Sequence, residues 1–324
     1  MAGWTLIDGL LSPLRALRRR RSHRLGLQLG NRPASHSAAR GSFGWLVDER
    51  KRWLFDVLPP ASAETHWNLF DKRSQKALAR RLGLSVAEDY VVGLPLSEAL
   101  DAIERRALER FVIKPVLSHS AKGCRALVRE RAGFVDVATG RRWHRRGLER
   151  VLRRDVIAGR DDVWLVEEML HPFSGRLEPI EDVKLYCFGG TVELVLLKRP
   201  RQGAKGYEGQ FYTRDWEPVN VGLEDREEPM THIPINGRRL IEAAELAASQ
   251  LCHPFIRIDL YDAHRGVILG EFTPGPGRRY GFNATWDAYL VGRWHEAAAS
   301  IEQGIRSGRI VPLGAEASPS RART

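Results

Sequence analysis

The stretch with the most chemical promise is residues 255–277, FIRIDLYDAHRGVILGEFTPGPG. Its first half alternates. Ile256, Ile258 and Leu260 fall on one side of a strand, and Arg257, Asp259 and Tyr261 on the other. His264-Arg265-Gly266 supplies a turn with Gly last, which suits a three-residue hairpin loop whose final position is left-handed. A hairpin centred on Arg265 sets Asp259 directly opposite Glu271. Like charges so placed, with Cβ atoms about 4.5–5.5 Å apart, repel each other. Two arrangements relieve that repulsion. Neighbouring arginines, Arg257 first, can pair with the carboxylates at a solvated edge. Alternatively, both carboxylates can hold one hard divalent cation, as Mg2+ with phosphate oxygens requires. The TPGPG end adds a rigid turn at which backbone can approach a ligand closely.

The elements that must position these groups mix helix and strand. Residues 74–83 predict a helix ending at Gly83, and residues 97–109 a second with Ser97 as N-cap. Residues 111–114 form a short strand closed by Pro115, followed by strands at 124–129 and 133–137 and a basic helix at 144–158. Strands at 163–168, 183–188 and 191–198 come next. Gly189-Gly190 joins the last two as a tight hairpin. A helix at 238–251, the carboxylate hairpin with strands at 255–261 and 267–273, and a helix at 285–303 complete the pattern. Adjacent antiparallel pairs dominate, so the fold class is α+β rather than doubly wound α/β.

The chain of 324 residues is long enough for two or three packed units, and its 43% hydrophobic and 28% charged residues are those of a globular protein. No apolar run is long enough to span a bilayer. The Arg run at residues 18–21 follows the Leu-rich start, the reverse of a secretory signal, so the expected location is cytoplasmic. Cys124, Cys187 and Cys252 are widely spaced and read as reduced thiols buried as small hydrophobes. The net charge of +11 favours anionic partners, with clusters at residues 18–21, 141–146 and 153–154. Trp4, Leu6, Ile7, Leu10, Leu11, Leu14 and Leu17 before the Arg run allow a short amphipathic helix on an acidic membrane, so peripheral contact at the inner membrane face through residues 1–24 is one expectation. A helix packed on the domain, or a tail without structure, is the other. Residues 311–324 read as a tail of the latter kind. His171 and His253 each precede Pro and read as structural. No zinc finger, RRM, Walker A or Rossmann motif is present, and no nucleic-acid partner is expected.

Several segments taken in order resemble the ATP-grasp enzymes, and more closely the TupA-like ATP-grasp family associated with teichuronopeptide and surface-polysaccharide synthesis. They are Asp71-Lys72 before a helix, Phe111-Val112-Ile113-Lys114-Pro115, Glu167-Glu168, Asp182-Val183-Lys184, Arg257-Ile258-Asp259, and Glu271-Phe272-Thr273-Pro274-Gly275. The resemblance implies an ATP-grasp fold with ATP between two antiparallel sheets. It divides the chain into a basic arm (1–40), an N-terminal subdomain (41–110), a small subdomain with a phosphate lid (111–175), a large subdomain with the metal site (176–310) and the tail (311–324). It implies that Lys114 contacts ATP phosphate and adenine N7, and that residues 118–123 (SHSAKG), including Ser118, Ser120, Lys122 and Gly123, form the lid. Glu167, Glu168, Met169 and Leu170 become the hinge beside adenine and ribose, Asp182 a ribose contact, and Lys184 a phosphate contact. Asp259 and Glu271 become Mg2+ ligands, and Arg257 stabilises an acyl phosphate. Thr273 stands where many relatives carry a metal-binding Asn, and Asn283 is a substitute to test. The implied activity is ligation. A carboxylate activated by Mg2+ and ATP is joined to an amine, with a small-molecule, glycan or peptide acceptor of anionic character that the arginines of residues 141–154 suit. A kinase acting on a hydroxyl, or a basic protein without catalysis that binds nucleic acid or membrane, are the competing readings.

Overall fold

A computed structural model describes residues 39–52, 71–117, 122–155, 163–175, 178–200, 207–222, 233–275 and 281–310. The membrane-helix expectation for residues 1–24, the lid serines Ser118 and Ser120, and the tail at 311–324 lie outside these residues. No helix among the described residues is long and apolar enough to cross a membrane.

Helix α1 (Phe43–Arg52) and helix α2 (Lys72–Arg81) precede the first sheet. That sheet contains β1 (Asp89–Leu94), β2 (Arg110–Pro115), β3 (Arg125–Glu130), β4 (Gly133–Asp136), β5 (Arg142–Trp143) and β6 (Trp164–Glu168), ordered β1-β6-β2-β3-β4-β5 and antiparallel throughout. Helices α3 (Leu96–Arg105) and α4 (Arg145–Asp155) cover one of its faces. There Leu100, Ile103, Leu148 and Leu152 pack on Phe111, Ile113, Leu127 and Val166. Alternation along β2 and β6 then turns Val112, Lys114 and Glu167 to the opposite face.

The second sheet contains β7 (Asp182–Phe188), β8 (Thr191–Pro200), β9 (Tyr207–Tyr212), β10 (Pro218–Val219), β11 (Ile256–Ala263) and β12 (Gly266–Thr273), ordered β10-β9-β8-β7-β11-β12. Helix α5 (Gly237–Leu251) packs on one face, through Leu240, Ala244 and Leu251 against Val183, Leu185, Ile256 and Ile258. The other face is divided. Its Tyr186, Phe188, Leu194 and Phe255 end packs on α1 and on α6 (Ala284–Arg306), while its polar end carries the side chains described below.

The structure corrects several expectations. Ser97 is not an N-cap: α3 starts at Leu96 with Pro95 in the cap position and no side-chain cap bond. This helix ends at Arg105 because Ala107 takes φ 51°, outside helical space. Asn283 caps α6, its Oδ1 accepting from Trp286 N at 3.0 Å, and is therefore no metal ligand. Cys187 is buried, whereas Cys124 and Cys252 are half-buried, and all three are free. His253 is buried against the Arg50 guanidinium at 2.8 Å, and His171 stacks on His264 with ring centroids 3.7 Å apart. The Gly189-Gly190 turn has positive φ at both residues, as a tight hairpin of this hand needs.

Candidate active site

The carboxylate hairpin pairs Asp259 with Glu271, as the sequence predicts, but by a different route. The turn has two residues, His264 and Arg265, with Ala263 opposite Gly266. That register alone would set Asp259 opposite Gly270. A β-bulge at Gly270 adds one residue and restores the carboxylate pair. The bulge also decides orientation. Leu269 and Phe272 both point into the core below the sheet, so the extra residue turns Glu271 onto the polar face with Asp259. Glycine is required there, since a Cβ on residue 270 would lie 2.8 Å from Tyr261 Cε2 and 3.2 Å from the Asp259 carbonyl oxygen.

Register across three strands then makes a row: Lys184 on β7, Asp259 on β11 and Glu271 on β12. Arg257 and Thr273 form the neighbouring pair. Lys184 Nζ lies 2.6 Å from Asp259 Oδ2 and 2.5 Å from Asp182 Oδ2. The Arg257 guanidinium grips Asp259 through Nε at 2.6 Å and a second nitrogen at 2.7 Å, and donates to Thr273 Oγ1 at 3.3 Å. In this structure the Thr273 hydroxyl therefore orients Arg257.

Asp259 and Glu271 titrate in opposite directions. Burial works against the Asp259 charge, but Arg257 and Lys184 hold its carboxyl below the ordinary range. Burial and then the Asp259 charge push Glu271 above it. Among the described residues the Glu271 side chain makes no hydrogen bond and no ion pair. It is a half-buried carboxylate without a described partner, beside one that has two. A divalent cation reaching both would remove the repulsion, so the residues present fit Mg2+. No group of three or more His, Cys, Asp or Glu side chains able to hold a metal exists among the described residues, so phosphate and water would complete the shell. Asp182 Oδ1 is buried without a hydrogen-bond partner, which suits a hydroxyl donor from a ligand.

On the first sheet, β2 and β6 place Lys114 beside Glu167, and the two form an ion pair. Burial opposes the Lys114 charge, but Glu167 holds its pKa raised. Helix α2 brings two more lysines. Lys76 Nζ stands 2.6 Å from Glu167 Oε2. The Lys72 pKa is lowered by burial, offset in part by the charge of Glu271 and lowered further by Lys114.

The polar faces of the two sheets are tied together at one end. Leu269 N donates to Ser85 O at 2.8 Å, Glu168 N to Glu88 O at 2.8 Å, and Phe272 N to Gln75 Oε1 at 2.8 Å. Arg265, at the tip of the hairpin, binds Glu168 through contacts of 2.5 and 3.0 Å. The Glu168 carboxylate, which also accepts from Glu88 N at 3.1 Å, thus joins the sheets. Leu170 is buried against Ala87, Ala263 and Ile268, and Met169 beside it is half-buried. Tyr261 reaches between the sheets: after burial, its raised pKa owes most to Asp182, Cys124, Asp259 and Glu167. At the end of the lid segment Lys122 is exposed. Gly123, with φ 70°, lies where a Cβ would meet Pro115 Cγ at 3.0 Å.

Of the residues expected at the site, Asp182, Lys184, Arg257, Asp259, Glu271 and Thr273 thus gather on the polar face of the second sheet, and Lys114 and Glu167 pair on the face of the first sheet turned away from α3 and α4. The basic helix α4 does not join them, because it covers the face of the first sheet opposite Lys114. Sequence reasoning passed over Lys76, Gly270 and Lys198. The last of these pairs with Asp182 in register, its pKa lowered by burial and then by Lys184. The i, i+4 spacing of Lys72 and Lys76, which puts both on one helix face, was the available signal for Lys76.

A sequence model described as TupA-like ATPgrasp matches residues 65–293. Solved structures that align with the chain include the VanG D-Ala:D-Ser ligase from Enterococcus faecalis, at 15% identity and TM-score 0.44, covering 72% of this chain and 62% of that one. The D-alanine–D-alanine ligase from Bacillus anthracis aligns at 15% identity and TM-score 0.44, over 74% and 69% of the two chains. D-cycloserine synthetase aligns at 18% identity and TM-score 0.42, over 79% and 78%. No curated protein matches significantly.

Proposed function

The chain belongs to the TupA-like ATP-grasp family, whose cofactors are ATP and Mg2+, and from that premise we propose that it is a carboxylate–amine ligase. One observation supports this reading above the others. Lys184, Asp259 and Glu271 stand abreast on one sheet, the Glu271 carboxylate without a partner among the described residues, and Lys114 stands on the facing sheet. Such a site can hold a triphosphate and its metal between two rows of fixed charge.

In the proposed reaction a substrate carboxylate oxygen bonds to the γ-phosphorus of ATP as the bond to ADP breaks. An amine then displaces phosphate from the resulting acyl phosphate. Mg2+ would supply charge neutralisation at the phosphate oxygens, held by Asp259 and Glu271. Lys114 and Lys184 hold the phosphates in line. Arg257, fixed by Asp259 and Thr273, presents positive charge where the carbonyl becomes an oxyanion. Asp182 Oδ1 accepts from a ribose hydroxyl. The acceptor in this reading is anionic, and by likeness to the family the product is a cell-surface polymer. Because α4 lies behind the first sheet, its arginines would touch only the distal part of a long acceptor.

The test is ADP release and product mass from Mg2+-ATP with a panel of acids and amines, and hydroxylamine to trap an acyl phosphate. Asp259→Asn and Glu271→Gln should each lower turnover by about 100-fold or more, the scale of losing one group aimed at transition-state charge. Full activity in both variants would remove the assignment, and ADP release without hydroxamate would favour transfer to a hydroxyl.

A further inference from the structure

Lys76 is 7% exposed, and the proposed chemistry gives it no task. Its ammonium lies 2.6 Å from Glu167 Oε2, donates to Ala87 O at 2.9 Å and pairs with Asp89. Asp89 is held in addition by Arg80 at 3.0 Å. The other Glu167 oxygen, Oε1, is bound by Lys114. Two lysines from different elements thus share one buried carboxylate, one of them deep in the protein and the other at the cleft.

The arrangement answers a problem that the nucleotide creates. On reaching a phosphate or an adenine nitrogen, Lys114 turns part of its charge and hydrogen bonding away from Glu167. A carboxylate buried in this way cannot be left without a counterion. Lys76 cannot follow Lys114, because Ala87 O and Asp89 anchor it. Gln75, the residue before it, is fixed to Phe272 N of the metal-bearing hairpin at 2.8 Å. We propose that Lys76 is a positioning residue, the counterion that stays with Glu167 and so frees Lys114 to bind the nucleotide. The inference rests on the reading that Lys114 contacts ATP.

The test is the dissociation constant of a non-hydrolysable ATP analogue with Mg2+, measured by calorimetry on the full chain. Lys76→Met should weaken binding by about tenfold or more, the lower end of what loss of an orienting partner costs. Lys76→Arg should restore most of the affinity. In a Glu167→Gln background the Lys76→Met change should matter by no more than about twofold, since no buried charge then needs a partner. If Lys76→Met binds as wild type, or loses equally in both backgrounds, the inference is wrong. Wild type that binds no analogue would overturn the reading beneath it as well. Should Lys76→Met not fold, 15N spectra of the lysine ammonium groups in wild type decide. Addition of the analogue should shift the Lys114 signal and leave that of Lys76, and a Lys76 signal that moves with it would contradict the proposal.

Discussion

The two sheets present charge to the same cleft in opposite states of balance. On the first, Glu167 is held by both Lys114 and Lys76, and every partner sits within its own cluster. On the second, Asp259 takes Arg257 and Lys184 for itself, and Glu271 is left without a described partner. The balanced cluster is built before any ligand arrives, with Lys76 as its anchored member. The unbalanced one has a deficit of positive charge that a metal–nucleotide complex would fill. A binding site with this asymmetry gives up some stability on one side to gain selectivity for a cation.

The strongest way to break the comparison is to remove the bulge. Deleting Gly270 leaves Leu269, Glu271 and Phe272 in plain alternation, so Glu271 should keep its face but lose the bulge's local twist and spacing, weakening metal-dependent nucleotide binding, while Gly270→Ala, pressed on Tyr261, should destabilise the fold by about 1–3 kcal/mol. Urea unfolding read beside nucleotide titration separates the two effects.

The carboxylates themselves should respond to pH in opposite senses. Glu167 has a folded pKa below its ordinary value, because Lys114 and Lys76 outweigh the cost of burial. Its contribution is full above the ordinary glutamate value and is lost as pH falls through the lowered one. Glu167→Gln should therefore be less stable than wild type near neutrality and lose less on acidification, seen as a flatter acid limb of Tm against pH. Glu271 has a raised pKa, so its proton stabilises the fold at low pH and that stability is lost as pH rises through the raised value. Glu271→Gln without ligand should melt above wild type near neutral pH and match it at about pH 4, where the ordinary carboxyl is already largely protonated. Added Mg2+-ATP should reverse the neutral-pH order, since only wild type gains from it.

The smallest effect belongs to the back of the first sheet. Neutralising the exposed Arg146, Arg150 and Arg154 should raise KM for an anionic polymeric acceptor by only about twofold to fivefold, each exposed charge being worth under about 1 kcal/mol. ATP affinity should not move.

Much of this contrast was legible in the sequence, unevenly. Opposed Asp259 and Glu271 could be read from spacing, yet the reading reached the right pair through two errors that cancel: a three-residue turn was expected and a bulge was not. An isolated Gly inside a strand pattern signals a bulge, and Gly270 was that signal. The strands' apolar alternation marked which face Lys184 and Lys114 leave by, because period-2 patterns survive folding unchanged. The i, i+4 spacing put Lys76 on one helix face with Lys72, but its pairing with Glu167, like the engagement of Glu168 by Arg265, was hidden, since both depend on how α2 and the hairpin tip dock across long separations in the chain. The short strands β9 and β10 and helix α1 gave too weak a periodicity to be drawn in advance.

The central claim is that Asp259 and Glu271 together hold one divalent ion against a nucleotide. Its most direct test is electron paramagnetic resonance of Mn2+ added to the protein with a non-hydrolysable ATP analogue. Wild type should take up Mn2+ only when the analogue is present, and Asp259→Asn and Glu271→Gln should each weaken that uptake by about tenfold or more. Equal Mn2+ affinity in all three proteins would contradict the account.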